Sequence, residues 1–202
     1  MTTNSFSPST VGWTGIAVGA IAILAITFLT LMFTVNPSFG KVNDVFNSLI
    51  GISSVILAWM LYAEHYAKSP LMSQVGLAFA VVGAIFTVIG SVLIIFGYTD
   101  FVLAGWYTGV GNALIGLWLA AFCYYLLSGT TIPHNLVVFG IVVGAFMAVG
   151  LIGISGIFAG VDSMESMPHV PWYLYVAFFG YLGTYILYPI WAILVGRILL
   201  HK

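Results

Sequence analysis

The chain has 202 residues, of which 62% are hydrophobic and only 4% are Asp, Glu, Lys or Arg. Soluble globular domains carry about 25% charged residues, so this chain cannot build a water-facing surface and soluble folds are excluded. Its four Lys and Arg residues are too few to neutralise a row of phosphates, which excludes a nucleic-acid partner. The single cysteine, Cys123, forms no disulfide within the chain. The composition predicts an integral membrane protein.

Charge-free stretches predict where the chain crosses the membrane. A helix needs about 20 apolar residues to cross a hydrocarbon layer of about 30 Å, and turn residues at 129–135 divide the longest stretch into two spans. The sequence therefore predicts an all-α integral membrane protein, a single transmembrane domain over 1–202. Its six transmembrane helices are expected at about 12–35, 45–63, 75–97, 102–127, 136–159 and 172–198. The first is expected to be retained, because residues 1–10 lack the basic residues of a signal peptide.

An even number of spans places both termini on the same side of the membrane. Lys68, Arg197 and Lys202 fall on that side, and only Lys41 falls on the other. Because basic residues are enriched in cytoplasmic loops, we expect a protein of the cell membrane with the N- and C-termini in the cytoplasm. The acidic residues of the opposite connections are then expected to face outward, namely Asp44, Asp100, Asp162 and Glu165.

Two short motifs recur along the chain. Val-Gly-Ala occurs at 18–20, 82–84 and 143–145, and Asn-x-Leu-Ile-Gly occurs at 47–51 and 112–116. The copies lie roughly 60–65 residues apart, which suggests three tandem helical hairpins inserted in the same direction. The alternative is coincidence in a chain rich in small apolar residues, since the sixth span lacks the second motif.

Glycine pairs spaced four residues apart predict where helices approach closely. Small residues let helix backbones touch in lipid, where no hydrophobic force drives helices together. We expect these glycines at contacts between helices of the chain and not toward lipid. The pairs are Gly15 and Gly19, Gly105 and Gly109, Gly140 and Gly144, and Gly156 and Gly160.

The sixth span carries tyrosines along one helical face, and these form the candidate ligand-binding site together with Asn112 of the fourth span. Tyr181, Tyr185 and Tyr188 are spaced i, i+4 and i+7. Lipid offers their hydroxyl groups no partner, so this face is predicted to point into the bundle near Asn112. Pro189 removes a backbone hydrogen bond and predicts a kink.

Two interpretations of this face remain open. Side chains that fill the space beside the tyrosines would indicate packing, and this is what we expect. An open pocket of several hundred Å³ would indicate a bound hydrophobic ligand or a transported solute.

The loop at 160–171 contains weak candidates for a metal site. Met164, Met167 and His169 have side chains of the kind that Cu(I) accepts. The alternative is a proline-stiffened loop whose methionines contact lipid or a partner protein.

The spans lack the residues on which membrane catalysis and ion coupling depend. No Asp, Glu, Lys or Arg is predicted in the middle of a span, and no triad or cluster of catalytic residues is apparent. We therefore expect no enzyme. Three functions remain. The first is an accessory or structural subunit that contacts membrane lipids and either other membrane protein subunits or its own copies, and that could also hold a lipid, quinone or pigment. The second is a small transporter or channel for a neutral or hydrophobic solute, and the third is a copper-handling membrane protein.

Overall fold

The computed structural model of the chain describes residues 6–65, 70–128, 132–165 and 167–202. Within these ranges there is no strand, and six helices are long and apolar enough to cross a membrane. The predicted all-α, six-helix fold of a multi-pass membrane protein is confirmed. The helices are α1 (Pro8–Thr34), α2 (Phe39–His65), α3 (Pro70–Ile95), α4 (Phe101–Tyr125), α5 (His134–Phe158) and α6 (Tyr173–Leu200).

The helices follow one another around a ring. Each of α1 to α5 packs against the next helix in the chain, and α6 closes the ring by packing against α1. We call the end of the bundle that carries residues 6 and 202 the terminal end. The opposite end, with the connections at 35–38, 96–100 and 159–172, is the loop end. The α4 helix also contacts α2 and α6, which makes it the most enclosed of the six.

The contacts of the recurring motifs support an arrangement of three hairpins, α1–α2, α3–α4 and α5–α6. A Cβ atom added at Gly51 would lie 3.1 Å from Cα of Ala84, and one added at Gly116 would lie 2.8 Å from the carbonyl oxygen of Gly144. The glycine of each Asn-x-Leu-Ile-Gly motif therefore packs on the Val-Gly-Ala motif of the next hairpin.

Close glycine contacts join neighbouring helices, as the paired spacing predicted. A Cβ atom added at Gly144 would lie 2.7 Å from the backbone nitrogen of Ala120. For a Cβ atom added at Gly105 or Gly109, the nearest neighbour would be the hydroxyl oxygen of Tyr181. Gly160 is the exception. It has a φ of +64° and follows the end of α5 in a left-handed turn, and a Cβ atom added there would have no neighbour within 4 Å.

The α6 helix is irregular next to the proline that predicted a kink. A π-helical turn spans Gly183–Leu187, and Pro189 lies in the first turn of the α-helical segment Tyr188–Leu200. Proline has no backbone N–H to donate to the carbonyl four residues earlier, so an α-helix cannot continue regularly through this point. A single π-helical turn inside an α-helix is called a π-bulge, and π-bulges occur frequently at functional sites.

The α2 helix begins six residues before the predicted start of the second span. It starts at Phe39 instead of about residue 45, and so includes Asp44. The prediction that Asp44 faces outward from a connection is wrong: the residue is only 5% exposed, on the inner side of α2. Asn43 and Asp44 resemble a loop in the sequence, but at helical spacing they share a face with buried Asn47 and Ile50. Packing of that face into the bundle extends the helix.

Candidate functional site

A cavity of about 370 Å³ lies in the loop-end half of the bundle, between α1, α2, α4 and α6. Its walls are mostly aliphatic and aromatic, with polar groups from α2 at one end. Pockets of about 300–1,000 Å³ with apolar walls and a few convergent polar groups are typical of small-molecule sites. The lining includes Leu29 and Phe33 of α1; Asn43, Asp44 and Asn47 of α2; Trp106 of α4; Met164; and Phe178, Tyr181, Leu182, Tyr185 and Ile186 of α6.

The polar end of the cavity is formed by Asn43, Asp44 and Asn47 of α2 with the hydroxyl of Tyr185. Tyr185 donates a hydrogen bond of 2.7 Å to Oδ1 of Asn47, and Nδ2 of Asn47 lies 3.5 Å from Oδ1 of Asn43. All three α2 residues are buried. Among the described residues, Oδ2 of Asp44 has no hydrogen-bond partner. The polar end therefore combines a closed amide network with one unsatisfied carboxylate oxygen.

A row of stacked rings, the aromatic wall, runs from α4 along α6 to the polar end. The ring centroids of Trp106 and Phe178 are 5.6 Å apart, those of Phe178 and Tyr181 are 5.9 Å apart, and those of Tyr181 and Tyr185 are 5.8 Å apart. Tyr181 is fixed by a hydrogen bond of 2.8 Å from its hydroxyl to the carbonyl oxygen of Gly105. Ring separations in this range are favourable, so the wall is preorganised.

The cavity opens sideways between α1 and α6. Phe33 of α1 and Leu182 and Ile186 of α6 line the cavity and are also exposed on the outside of the bundle. In a membrane, the outside of the bundle at this level faces the lipid. The opening therefore provides a route from the bilayer, and its apolar rim suits a hydrophobic molecule.

The separation of α1 from α6 has a cause in the sequence. In the terminal-end half the two helices meet through their backbones: a Cβ atom at Gly15 would lie 3.0 Å from the carbonyl oxygen of Ala192, and one at Gly19 would lie 2.9 Å from that of Pro189. Toward the loop end, α1 presents larger side chains, among them Leu29 and Phe33. The close backbone contact ends where these larger residues follow the small ones.

The structure separates the four predicted ligand-binding residues. Tyr181 and Tyr185 line the cavity. Tyr188 is fully buried in the packed core, where its hydroxyl lies 2.9 Å from that of Ser54. Asn112 is also buried, and neither its amide nitrogen nor its amide oxygen has a hydrogen-bond partner among the described residues.

The space beside the first two tyrosines is open, so the expectation that side chains fill it is wrong there. Asn43 and Asp44 were missed as site residues because they were assigned to a connection, and Asn47, inside the predicted second span, was considered only as part of a recurring motif. Their spacing is the signal that could have found them: Asn43, Asn47 and Ser54 follow one helical face.

The candidate metal ligands lie in different surroundings. Met167 is buried in a cluster with Trp106 and Leu174, whereas Met164 and His169 are exposed, Met164 at the edge of the cavity. Across the described ranges there is no group of three or more His, Cys, Asp or Glu residues that could hold a metal ion. Nothing in this loop adds to the copper hypothesis.

Comparison with known proteins gives no relative: no family model matches the chain, and no curated protein or solved structure is significantly similar to it. The function therefore has to be inferred from the geometry of the cavity itself.

Proposed function

We propose that this multi-pass membrane protein binds a small amphiphilic molecule in the loop-end cavity. The observation that carries the proposal is the distribution of polarity around the cavity, with apolar and aromatic walls and polar side chains concentrated on α2. An amphiphile matches this distribution, since its apolar body lies along the aromatic wall and its polar group reaches the polar end.

The dimensions of the cavity limit the ligand. The volume of about 370 Å³ lies toward the lower end of the range of about 300–1,000 Å³ that small-molecule sites occupy. A whole membrane lipid is larger than this, so a lipid, quinone or pigment would place only one end inside. A small hydrophobic solute fits entirely. Because the opening faces the lipid, the bilayer is the source of the ligand in either case.

Binding of this kind is not catalysis, and it serves two of the functions considered above. An accessory subunit keeps its ligand bound, whereas a transporter releases it on the other side. The π-helical turn Gly183–Leu187 contains Tyr185, a residue of the cavity wall. An irregular turn at a binding site is a place where a helix can bend, so this observation favours transport as the second candidate function.

The test uses a tryptophan placed at the opening. Ile186→Trp adds bulk where the cavity opens between α1 and α6, and Ile190→Trp makes the same change one turn further along α6. The two isoleucines are 44% and 45% exposed, and only Ile186 lines the cavity. Binding of radiolabelled 4-phenylbutan-1-ol is measured by equilibrium dialysis against phosphatidylcholine nanodiscs, with empty nanodiscs as background.

We expect saturable binding to the unaltered protein, a loss of affinity of about tenfold or more in Ile186→Trp, and little change in Ile190→Trp. Binding that survives Ile186→Trp, or that does not exceed the background of empty nanodiscs, would overturn the proposal.

We also infer that both termini lie in the cytoplasm. Arg197 and Lys202 belong to the terminal end and Lys41 to the loop end, while Lys68 lies outside the described residues. Single cysteines in a Cys123→Ala background, introduced as Glu165→Cys or His201→Cys, test the orientation in intact cells. An impermeant thiol reagent is expected to label the first and not the second. The opposite pattern would reverse the orientation and leave the binding proposal untouched.

A further inference from the structure

We propose that the ligand is a cation: a small amphiphilic ammonium compound whose charged group pairs with Asp44. This inference rests on the proposed function, because it names the chemical class of the molecule that the cavity takes.

The first observation is the state of the Asp44 carboxylate. It is 5% exposed, it lines the cavity, and its Oδ2 atom is buried with no hydrogen-bond partner in the described part of the chain. A carboxylate taken out of water without a partner is strongly unfavourable. Such a group is retained where something else supplies the partner, and in a membrane span it marks a functional site by default.

The second observation is that the two neighbouring amide oxygens already accept hydrogen bonds. Oδ1 of Asn47 accepts from the hydroxyl of Tyr185, and Oδ1 of Asn43 accepts from Nδ2 of Asn47. Oδ2 of Asp44 is without a partner among the described residues, and in the ionised carboxylate it is an acceptor. A ligand that completes the network must therefore bring a hydrogen-bond donor.

The third observation concerns the sign of the charge. Asp44 is the acidic residue of the cavity lining, and none of the described residues that line the cavity is Lys, Arg or His. An anionic head group would meet a carboxylate with no basic residue to offset the repulsion. A cationic group meets a carboxylate at short range in surroundings of low polarity, where charge pairing is stronger than in water.

The aromatic wall favours the same ligand class. The faces of Trp and Tyr rings attract cations, and the attraction grows when water is excluded. Trp106, Tyr181 and Tyr185 lie along one side of the cavity, and Tyr185 also belongs to the polar end. An ammonium group at the polar end thus lies beside both the aromatic wall and the carboxylate of Asp44.

The experiment compares two probes of matching size that differ in charge. One is 4-phenylbutylamine, which is protonated at neutral pH, and the other is 4-phenylbutan-1-ol. Both are measured by equilibrium dialysis against nanodiscs of phosphatidylcholine, which has no net charge, so that the amine is not attracted to the lipid surface. The variants are Asp44→Asn and, as a control, Asp100→Asn, which removes a carboxylate from an exposed position at the same end of the bundle.

In the unaltered protein we expect the amine to bind about tenfold or more tightly than the alcohol, since hydrogen bonds to charged groups are the stronger ones. Asp44→Asn should weaken binding of the amine about tenfold or more, leave the affinity for the alcohol within about twofold, and so abolish the preference. Asp100→Asn should preserve it.

The results distinguish failure of the cationic ligand class from failure of the binding site itself. If the alcohol and the amine bind equally and Ile186→Trp prevents both, the cavity is a binding site and the cationic ligand class is wrong. A preference for the amine that persists in Asp44→Asn also overturns the inference. If neither probe binds more than it binds to empty nanodiscs, both the proposed function and the cationic ligand class are wrong. The probe comparison in the unaltered protein requires no variant to fold.

Discussion

The two halves of the α1–α6 contact differ in how the helices meet. At the terminal end the backbones touch: a Cβ atom added at Gly12 would lie 2.8 Å from the carbonyl oxygen of Gly196, and one added at Gly196 would lie 2.5 Å from that of Gly12. At the loop end the same helices are separated by a cavity of about 370 Å³. One pair of helices is thus tightly joined at one end and open at the other.

The difference shows how residue size creates a site within a membrane bundle. Helices in lipid associate through close packing, because lipid tails solvate apolar side chains as well as another helix does. Where glycines occur, the backbones gain this packing. Where Leu29 and Phe33 follow on α1, the helices stay apart, and the space between them is accessible to molecules from the bilayer. The glycines position the opening although they do not line it.

Gly196→Leu is expected to have the largest effect, because it breaks the joined half. The new side chain would enter space occupied by the backbone of α1, and overpacking of this kind costs typically about 1–3 kcal/mol. The measurement is the free energy of unfolding in mixed detergent micelles. Ala20→Leu, at an exposed position on α1, is the control and should be close to neutral. Equal stability of the two variants would show that the close approach contributes nothing.

The six helices could be predicted from the sequence because their signal is strong and local. Charge-free runs of sufficient length identify spans whatever the helices pack against, and the observed helices begin and end within a few residues of the predictions except at the start of α2. There the local signal is misleading. The polarity of residues 43 and 44 indicates a loop, and only contacts with other helices place these residues on a buried helix face.

The cavity could be predicted only in part. Helical spacing places Tyr181 and Tyr185 on one face and predicts that this face points inward, as the structure shows. Spacing cannot say whether the space opposite is filled, because that depends on the separation of α1 from α6. It also cannot separate Tyr188, which continues the same face but lies where the helices are tightly packed. Such distances are properties of the assembled bundle.

Two tyrosines one turn apart provide a smaller and sharper comparison. Tyr188→Phe removes a hydroxyl that is hydrogen-bonded to Ser54 in the packed core, and it should cost about 1 kcal/mol of unfolding free energy. Tyr185→Phe removes the donor to Asn47 at the edge of the cavity. There the vacated amide oxygen has room for a water molecule, so the cost should be lower.

Unfolding of both variants in mixed micelles measures the difference. A greater loss of stability in Tyr185→Phe than in Tyr188→Phe would mean that the cavity does not admit water and that the polar end is as tightly packed as the core.

The smallest effect is expected where an aliphatic side chain already faces open space. Shortening a leucine to alanine in a packed core costs about 2–5 kcal/mol, part of which is the cavity left behind. Leu29 lines the cavity on α1 and is only partly buried against the core, so Leu29→Ala enlarges an existing space and loses fewer contacts than a fully buried leucine would. We expect it to cost less than about 0.5 kcal/mol, well below the packed-core value.

Val18→Ala on the same helix is the matched comparison, because Val18 is fully buried. It removes fewer carbon atoms than Leu29→Ala, yet it should cost more, about 1.5 kcal/mol at about 0.8 kcal/mol for each buried carbon. Unfolding free energies of the two variants in mixed micelles decide the order. If Leu29→Ala is the more destabilising, the loop-end half of the α1–α6 contact is as well packed as the terminal-end half, and there is no room between the helices for a ligand.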